Sequence, residues 1–255
     1  MKALITGASS GIGKSFAKYL STLGYDLILV ARNKDKLQEL QKELKTDVKI
    51  VVADLAQESK IKELYVLCKN DNIDILINNA GFGMFGEFDS TDMQGEMEMI
   101  DVNIKAVHMM TKLFLKDMIK RNSGYILNVS SSASFQAGPL MATYYATKAY
   151  VTRLTVALYE ELRRKKSKVH VSCLCPGPVK TNFNDVANVD FAMKGLDSDF
   201  VAKYAIDKML KKNKLIIIPG FKIKMAIFFN RFVSNKFAAR LIYRFQKRKE
   251  RKISR

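Results

Sequence analysis

Cysteine, histidine and long apolar runs are all scarce in this 255-residue sequence. The three cysteines, Cys68, Cys173 and Cys175, have the spacing of neither a metal site nor a redox motif. Cys173 and Cys175 alternate on a predicted strand, so we expect them to be small core residues. The two histidines, His108 and His170, fall in no catalytic motif, and we expect structural roles for both. The sequence therefore predicts no metal site and no Ser/His/Asp hydrolase.

Long apolar segments are also missing, and no run approaches the ~18 residues that a membrane-spanning helix needs. The first predicted strand begins at Lys2, so we expect no signal peptide, because no apolar segment precedes that strand. Hydrophobic residues make up 48% of the chain, as in ordinary soluble proteins, and the length suits one α/β domain. We expect a cytoplasmic protein.

Basic residues exceed acidic ones, and the formal net charge of +18 is unevenly distributed. From residue 203 onward there are 17 Lys and Arg residues and only two acids, whereas the first 202 residues carry a net charge of only +3. We therefore predict a nearly neutral main domain at 1–220 and a basic, amphipathic C-terminal extension at 221–255.

Short apolar segments with the pattern of β-strands recur along the chain and alternate with helical patterns. Such alternation predicts βαβ units and a parallel sheet, in which ligands bind beyond the carboxyl ends of the strands. The predicted strands are Ala3–Ile5, Leu27–Val30, Val48–Val52, Ile75–Ile77, Tyr125–Val129, Val169–Leu174 and Leu215–Ile218.

A glycine-rich turn follows the first predicted strand and leads directly into an apolar-periodic helix. Glycines allow the backbone to approach a ligand closely, and the free N–H groups and dipole of a helix N-terminus favour an anion. The spacing G-x-x-x-G-x-G from Gly7 to Gly13 therefore predicts a pyrophosphate site. It differs from the G-x-G-x-x-G of the longer dinucleotide fingerprint.

Tyr144 and Lys148 lie four residues apart in a predicted helix, which places both side chains on one face. A phenol has an ordinary pKa of roughly 10, and a nearby cation favours its ionised form. Such a pair suits proton transfer to a developing alkoxide. Tyr145 is a rival phenol, because a spacing of three also faces Lys148.

Two further strand ends carry polar residues. Asn78–Gly81 follows the fourth strand, and Ser131 follows the fifth, thirteen residues before Tyr144. Together with the glycine-rich turn and the Tyr-Lys pair, these segments resemble the short-chain dehydrogenase/reductase family of the extended Rossmann type. The matching motifs are Thr6–Gly13, Asn78–Gly81, Asn103, Ser131, Tyr144–Lys148 and Pro176-Gly177.

The resemblance implies a single doubly wound Rossmann domain, with a seven-stranded parallel sheet in the order 3-2-1-4-5-6-7 and helices on both faces. It also implies hydride transfer between a nicotinamide and a carbonyl/secondary-alcohol pair. Tyr144 would protonate the substrate oxygen, Lys148 would lower the pKa of that phenol and bind the nicotinamide ribose, and Ser131 would polarise the carbonyl. Asn103 would hold a water that links Lys148 to solvent. The register of the motif and the distance to Ser131 favour Tyr144 over Tyr145.

The cofactor-binding residues that the resemblance implies lie in the glycine-rich turn and after the ends of the strands. They are Gly7, Ser9, Ser10, Gly11, Ile12, Gly13, Arg32, Asp54, Leu55, Asn79, Ala80, Gly81, Tyr144, Lys148, Pro176, Gly177, Val179 and Thr181. In the family a lid over the substrate follows, here at about 179–199. Phe183, Phe191 and Met193 would supply either an apolar cover or ordinary packing.

An acid at the end of the second strand of a dinucleotide fold binds the ribose 2′-hydroxyl, whereas a nearby arginine accommodates a 2′-phosphate. No acid occurs between Leu27 and Lys34, and Arg32 offers a planar fork that suits phosphate. We therefore predict NADP(H) in preference to NAD(H), although Ser10 stands where NADP-preferring relatives often carry a basic residue. Asp54 matches a position that contacts the adenine amino group, or is simply an acid near a helix N-terminus.

The C-terminal extension carries apolar residues at i, i+3/i+4 spacing from Met225 to Phe245, with cations at other positions. Three roles compete: packing on the body or a sister subunit, attachment to the inner membrane surface, and capture of an acidic partner such as acyl carrier protein or coenzyme A. No nucleic-acid motif accompanies the charge. The turn Ile218-Pro219-Gly220 before a basic helix resembles a bacterial branch related to hydroxysteroid dehydrogenases and 3-oxoacyl reductases.

These observations predict an NADP(H)-dependent oxidoreductase of a lipophilic ketone, steroid-like or 3-oxoacyl compound. The alternative is a catalytically silent cofactor-binding protein that contacts a membrane surface or an acidic partner through its basic tail. The family usually pairs through two long helices, here predicted near Asp92–Lys120 and Tyr144–Lys165. That pairing implies a homodimer or a homotetramer.

Overall fold

The computed structural model describes residues 1–181, 183 and 195–253, the last six of them by their backbone only. Within this part of the chain, seven strands form one parallel sheet in the order β3-β2-β1-β4-β5-β6-β7. The predicted fold class, strand positions and strand order are therefore confirmed. The strands are β1 (Lys2–Thr6), β2 (Asp26–Ala31), β3 (Val48–Val52), β4 (Ile75–Asn78), β5 (Gly124–Val129), β6 (Val169–Leu174) and β7 (Ile216–Ile217).

Helices cover both faces of this sheet. A π-helical segment at Asp101–Ala106 joins the fourth helix to the fifth, and a 3₁₀ turn at Ser132–Phe135 follows β5. In the described residues the α-helices are α1 (Gly11–Thr22), α2 (Lys34–Glu43), α3 (Glu58–Cys68), α4 (Met93–Ile100), α5 (Val107–Lys120), α6 (Ala142–Arg164), α7 (Ser198–Lys212), α8 (Phe221–Asn230) and α9 (Asn235–Ile253).

Successive strand residues point to opposite faces of the sheet and enter two separate cores. On one face, Ile5 and Leu29 are fully buried together with Phe16 of α1. On the other face, Leu4 and Ile28 are equally buried against α3 and α5. Because both faces are covered, the strands are apolar almost throughout, which is typical of parallel sheets.

The three cysteines are free and buried, which confirms the core positions predicted for Cys173 and Cys175. Cys68 is the last residue of α3 and packs in the core between this helix and the sheet. Burial there raises the pKa of its thiol to about 11. Cys173 and Cys175 lie side by side on and after β6, with their sulfurs 3.7 Å apart.

The C-terminal extension differs from the single amphipathic helix that its spacing suggests. Helix α8 ends at Asn230 and α9 begins at Asn235, so the extension folds as two helices joined by a turn. Ser234 favours this break, because its hydroxyl accepts a hydrogen bond from the backbone N–H of Phe237 in the first turn of α9, at 3.4 Å. Among the described residues, no helix has the length and apolar character needed to cross a membrane.

Candidate active site

The carboxyl ends of the strands open onto a cavity of about 950 Å³. Loops that follow the strands line one side of the cavity, and helices α8 and α9 line the other. Ligands of doubly wound sheets bind at this edge, where the strand order reverses between β1 and β4. The predicted site residues that line the cavity are Gly7, Ser9, Ser10, Gly11, Ile12, Arg32, Asp54, Leu55, Asn79, Ala80, Gly81, Ser131, Tyr144, Lys148, Pro176, Gly177, Val179 and Thr181.

The glycine-rich turn between β1 and α1 has a backbone that requires glycine. Gly7 and Gly11 have φ angles of 64° and 52°, in the left-handed region. Gly13 lies behind the cavity wall, where a Cβ would clash with the carbonyl oxygen of Gly7. The side chain of Ser10 makes no capping hydrogen bond, so the N–H groups at the start of α1 are available to an anion. This turn therefore fits a pyrophosphate group.

Thr6 and Asn79 tie the glycine-rich turn to the end of β4. The Thr6 hydroxyl accepts hydrogen bonds from the backbone N–H groups of Asn79 and Ala80, at 2.9 and 3.0 Å. In return, the Asn79 side-chain amide donates to the carbonyl oxygens of Thr6 and Gly7, at 3.0 and 3.2 Å. Side chains of two separate motifs therefore fix the shape of the cavity wall.

Tyr144 lies at the cavity wall near the start of α6, beside Ser131 at the end of β5. Burial raises the pKa of Tyr144 to about 12, and its hydrogen bond with Ser131 offsets part of this effect. The ring of Phe183 packs against the ring of Tyr144, with centroids 5.4 Å apart. A phenol that stays protonated beside a second hydroxyl can donate a proton to an oxygen bound between them.

Lys148 lies one helical turn beyond Tyr144, and only 5% of it is exposed. Its Nζ donates a hydrogen bond to the carbonyl oxygen of Val129 at 3.1 Å and lies 5.8 Å from the centroid of the Tyr144 ring. Burial lowers the pKa of Lys148 to about 8, and the thiols of Cys173 and Cys175 oppose this shift. Both members of the Tyr-Lys pair thus reach one cavity, while the lowering of the Tyr144 pKa by Lys148 stays a prediction.

Asn103 is fully buried in the π-helical segment between α4 and α5. Its side-chain amide donates to the Phe82 carbonyl at 2.9 Å and to the Thr147 hydroxyl at 3.1 Å, and its oxygen accepts from the Phe82 N–H at 3.1 Å. A Cβ on Gly81 would come within 2.8 Å of the Asn103 oxygen and 3.1 Å of the Lys148 Nζ. Asn103 thus packs beneath the cavity floor beside Lys148, and its water-holding role stays a prediction.

Tyr145, the rival phenol, also lines the cavity, but its hydroxyl has a different partner from that of Tyr144. Its hydroxyl accepts a hydrogen bond from the side-chain amide of Gln246 in α9, at 3.1 Å. Ser130, next to Ser131, is also engaged elsewhere, because its hydroxyl donates to the carbonyl oxygen of Lys148 at 2.8 Å. The hydroxyls of Tyr145 and Ser130 therefore stabilise the structure around the site.

Arg32 and Asp54 lie at the end of the cavity beyond β2 and β3. The Arg32 side chain is 68% exposed, and its Nη1 lies 3.2 Å from Oε1 of Glu98. Lys36 at the start of α2 adds a second cation to this end of the cavity. Asp54 accepts a hydrogen bond from the backbone N–H of Ala56 at 3.0 Å, so it stabilises its own turn as well as lining the cavity.

The C-terminal extension closes the cavity opposite the sheet, a position that sequence reasoning did not indicate. Ile223 of α8 packs against Gly177, where a Cβ would come within 2.8 Å of the isoleucine side chain. Asn230 donates a hydrogen bond from its side-chain amide to the Phe135 carbonyl at 3.0 Å. The apolar cavity-lining residues of the extension are Ile223, Ala226, Ile227, Phe229, Val233, Phe237, Ala238, Leu241, Ile242 and Phe245.

The predicted lid at 179–199 falls largely outside the described residues, as do Phe191 and Met193. Its described ends meet in a parallel bridge between Val179 and Leu196.

Sequence comparisons agree with this geometry. The family profile described as short chain dehydrogenase matches residues 1–190. An uncharacterised oxidoreductase of Staphylococcus epidermidis is 37% identical over 181 residues, which make up 70% of this chain and 78% of that protein. The human very-long-chain 3-oxoacyl-CoA reductase is 36% identical over 171 residues, which make up 64% of this chain and 55% of the human protein.

Solved structures show the same fold over most of the chain. A short-chain dehydrogenase from Sphingobium yanoikuyae in complex with NADPH is 28% identical with a TM-score of 0.81, covering 90% of this chain and 92% of that one. A short chain dehydrogenase/reductase from Burkholderia phymatum in complex with NAD is 25% identical with a TM-score of 0.81, covering 89% and 91%.

Proposed function

The chain belongs to the short-chain dehydrogenase family, and we propose that it is an NADP(H)-dependent oxidoreductase of a lipophilic ketone and its secondary alcohol. Oxidoreductase chemistry by hydride transfer to or from a nicotinamide follows from the family. Beyond the family assignment, we propose two things: that the enzyme prefers NADP(H), and that its substrate is lipophilic. The observation that carries this proposal is one continuous cavity, in which Ser131 and Tyr144 occupy the sheet side and apolar residues of α8 and α9 occupy the opposite wall.

In the reductive direction, a nicotinamide held by the glycine-rich turn and Lys148 would supply the hydride for the carbonyl carbon. The phenol of Tyr144 donates its proton to the carbonyl oxygen, and the Ser131 hydroxyl holds that oxygen by a hydrogen bond. Lys148 is a buried cation one helical turn away, and a cation there favours the phenolate that remains. A positioned acid of this kind contributes typically 10²–10⁴-fold to the rate.

The preference for NADP(H) rests on the cations at the far end of the cavity. Arg32, Asn33 and Lys36 all line this end, and no carboxylate of the β2–α2 loop competes for a ribose hydroxyl. A 2′-phosphate carries negative charge that the Arg32 fork and the Lys36 ammonium would neutralise. The Sphingobium relative was solved with NADPH, whereas the Burkholderia relative was solved with NAD, so the argument stands on the residues of this chain.

The proposal of a lipophilic substrate rests on the composition of the cavity wall that α8 and α9 form. Ile227 is buried there, and Phe229, Val233 and Phe237 expose large apolar surfaces along the same wall. Burial of apolar ligand surface stabilises a complex by roughly 25 cal/mol per Å². A ketone or 3-oxoacyl compound with a long apolar portion would therefore bind with its carbonyl at Tyr144 and its chain along the extension.

NADPH consumption across ketones, 3-oxoacyl thioesters and oxidised steroids of increasing apolar size tests this proposal. We expect turnover that improves with apolar length. We also expect Tyr144→Phe to lower kcat at least a hundredfold while NADPH binding changes little. Tyr145→Phe is the matched control and should keep its kcat, because the Tyr145 hydroxyl binds Gln246.

Two results would count against the assignment. Full activity in Tyr144→Phe with loss in Tyr145→Phe would move the acid to the neighbouring phenol. Tight NADPH binding without turnover of any carbonyl would favour the catalytically silent alternative.

We also propose that the protein is a homodimer paired through α4, α5 and α6. These helices expose large apolar side chains to solvent, among them Met93, Met97, Val156 and Tyr159. Solvent-facing apolar patches on otherwise packed helices are typical of protein–protein interfaces. Light scattering at micromolar concentration should give twice the mass of 28.9 kDa, and a monomer would refute the pairing.

A further inference from the structure

Phe228, Phe229 and Phe232 form an aromatic cluster on the exposed surface of the C-terminal extension, and Phe221 is exposed at the start of α8. Phe221, Phe228 and Phe232 are 76%, 48% and 74% exposed. The Phe228 ring lies 5.6 Å from that of Phe229 and 5.5 Å from that of Phe232, measured between centroids. Isolated exposed apolar residues are ordinary, but a contiguous aromatic group on one surface marks an interaction site.

This cluster is continuous with the apolar wall of the cavity. Phe229, Val233 and Phe237 line the cavity and are also exposed, whereas Phe228 and Phe232 lie outside the lining. The same group of aromatic rings therefore reaches both the cavity and the outer surface. An apolar molecule at that surface would therefore contact apolar residues that also line the cavity of Tyr144.

The segment that carries the cluster is positively charged. The segment 221–247 contains seven Lys and Arg residues and no acidic residue, so its charge is not balanced within the segment. All seven side chains are exposed. Those nearest in sequence to the aromatic cluster are Lys222, Lys224, Arg231 and Lys236.

We propose that α8, α9 and the turn between them dock onto an anionic lipid bilayer, with Phe221, Phe228 and Phe232 inserted at the boundary between headgroups and acyl chains. In segment 221–247 aromatic side chains lie beside cations and no acidic residue occurs, and such a surface is complementary to anionic headgroups above an apolar layer. A second copy of the chain would carry the same positive charge on this surface, which disfavours self-pairing there. The docking of this surface onto a bilayer does not depend on the proposed oxidoreductase function. A further consequence, that a lipophilic substrate enters the cavity from the bilayer, does rest on the proposed function.

Cosedimentation of the full-length protein with vesicles tests the docking without any enzyme assay. The vesicles are phosphatidylcholine alone or phosphatidylcholine mixed with an equal part of phosphatidylglycerol. We expect binding to the mixed vesicles that weakens as salt rises, because screening reduces the attraction of exposed charges. Binding to phosphatidylcholine alone should be at least tenfold weaker.

Two double variants separate the apolar and electrostatic contributions. Phe228→Ser with Phe232→Ser should weaken binding to mixed vesicles at least tenfold, because the aromatic insertion is lost. Lys222→Gln with Arg231→Gln should weaken it by a similar factor, since each cation near an anionic surface contributes about fivefold. The matched controls are Phe88→Ser, at a phenylalanine that is 70% exposed on another surface, and Lys120→Gln with Lys168→Gln.

Circular dichroism should show that every variant keeps its fold, since the altered side chains are exposed. Docking is refuted if the aromatic double variant binds vesicles as well as the parent protein, or if phosphatidylcholine alone binds as strongly. It is equally refuted if the aromatic double variant loses self-association in light scattering while vesicle binding is unchanged, because a second copy would then be the occupant.

Discussion

Gln246 donates a hydrogen bond from its side-chain amide to the hydroxyl of Tyr145, at 3.1 Å and across 101 positions of sequence. Gln246 is buried, and burial raises the pKa of the Tyr145 phenol while the amide partly offsets the shift. One phenol of the Tyr144-Tyr145 pair is thus bound to the C-terminal extension, and the other contacts Ser131. Two adjacent residues of one helix line the same cavity but bind different hydrogen-bond partners.

The hydrogen bond between Gln246 and Tyr145 predicts that Gln246→Ala weakens the packing of the C-terminal extension on the rest of the protein. A buried hydroxyl that loses its partner destabilises a protein by about 1–3 kcal/mol, so we expect a loss of that size in the free energy of unfolding, measured with urea. KM for a long-chain substrate should rise as well, because α9 forms part of the cavity wall.

A double-mutant cycle with Tyr145→Phe gives the coupling between these two side chains. The double variant should lose little more stability than either single variant, and additive losses would contradict the direct bond. Gln94→Ala, at an exposed glutamine of α4, should change neither stability nor KM.

Arg32 provides the test of cofactor preference. A hydrogen bond to a charged group contributes roughly 1.5–3 kcal/mol, so Arg32→Ala should weaken NADPH binding about ten- to a hundredfold and leave NADH binding little changed. Glu98→Gln removes the carboxylate that pairs with Arg32 and should leave NADPH binding equal or tighter. Fluorescence titration measures both dissociation constants.

Arg153→Ala is the matched control, because this arginine is exposed on α6 and does not line the cavity. Equal losses for NADPH and NADH in Arg32→Ala would show that the arginine does not bind the 2′-phosphate.

We expect the buried charge of Lys148 to lower the free energy of unfolding, although the proposed catalysis requires this lysine. Its pKa falls to about 8 in the folded state from 10.5. Below pH 8 the lysine is charged in both states, so the buried charge destabilises the fold in full. Between pH 8 and 10.5 the folded state releases its proton first, so stability rises with pH in that window.

Lys148→Met should therefore abolish turnover and raise the free energy of unfolding by about 3 kcal/mol at pH 7. The gain should shrink toward pH 10, as urea titrations at several pH values would show. Lys168→Met, at an exposed lysine, should have no such effect. A Lys148→Met protein that is less stable than the parent at pH 7 would show that the buried hydrogen bond to Val129 outweighs the cost of the buried charge.

The local parts of the site were predictable from the sequence because short-range geometry determines them. A spacing of four within a helix brings Tyr144 and Lys148 to one face, and the carboxyl ends of parallel strands bring Asn79 and Ser131 to one edge. Asn103 is buried in a π-helical segment, whose i→i+5 hydrogen bonding leaves no clear sequence pattern.

Contacts between distant segments were not predictable in the same way. The apolar spacing of the extension indicated a helical face, but no residue in it specifies that Ile223 packs on Gly177 or that Gln246 reaches Tyr145. The ion pair of Arg32 with Glu98 likewise joins elements that only the folded sheet brings together. Tertiary packing determines such contacts, because the local sequence around either residue is compatible with many other contact partners.

A chain that ends at Gly220 tests whether the extension belongs to the fold or to the site. Within the described residues, the two cores on the faces of the sheet are built from residues up to Ile217. We therefore expect this shortened chain to unfold cooperatively and to bind NADPH within a few-fold of the parent, because the glycine-rich turn and Arg32 remain. The opposite cavity wall would be missing, so KM for a long-chain ketone should rise at least tenfold while a short ketone is affected much less. Kinetics on a matched short and long ketone, with urea unfolding of both proteins, measure these effects. An unfolded shortened chain would show that α8 and α9 are part of the core, and equal losses on both ketones would show that the extension does not bind the apolar part of the substrate.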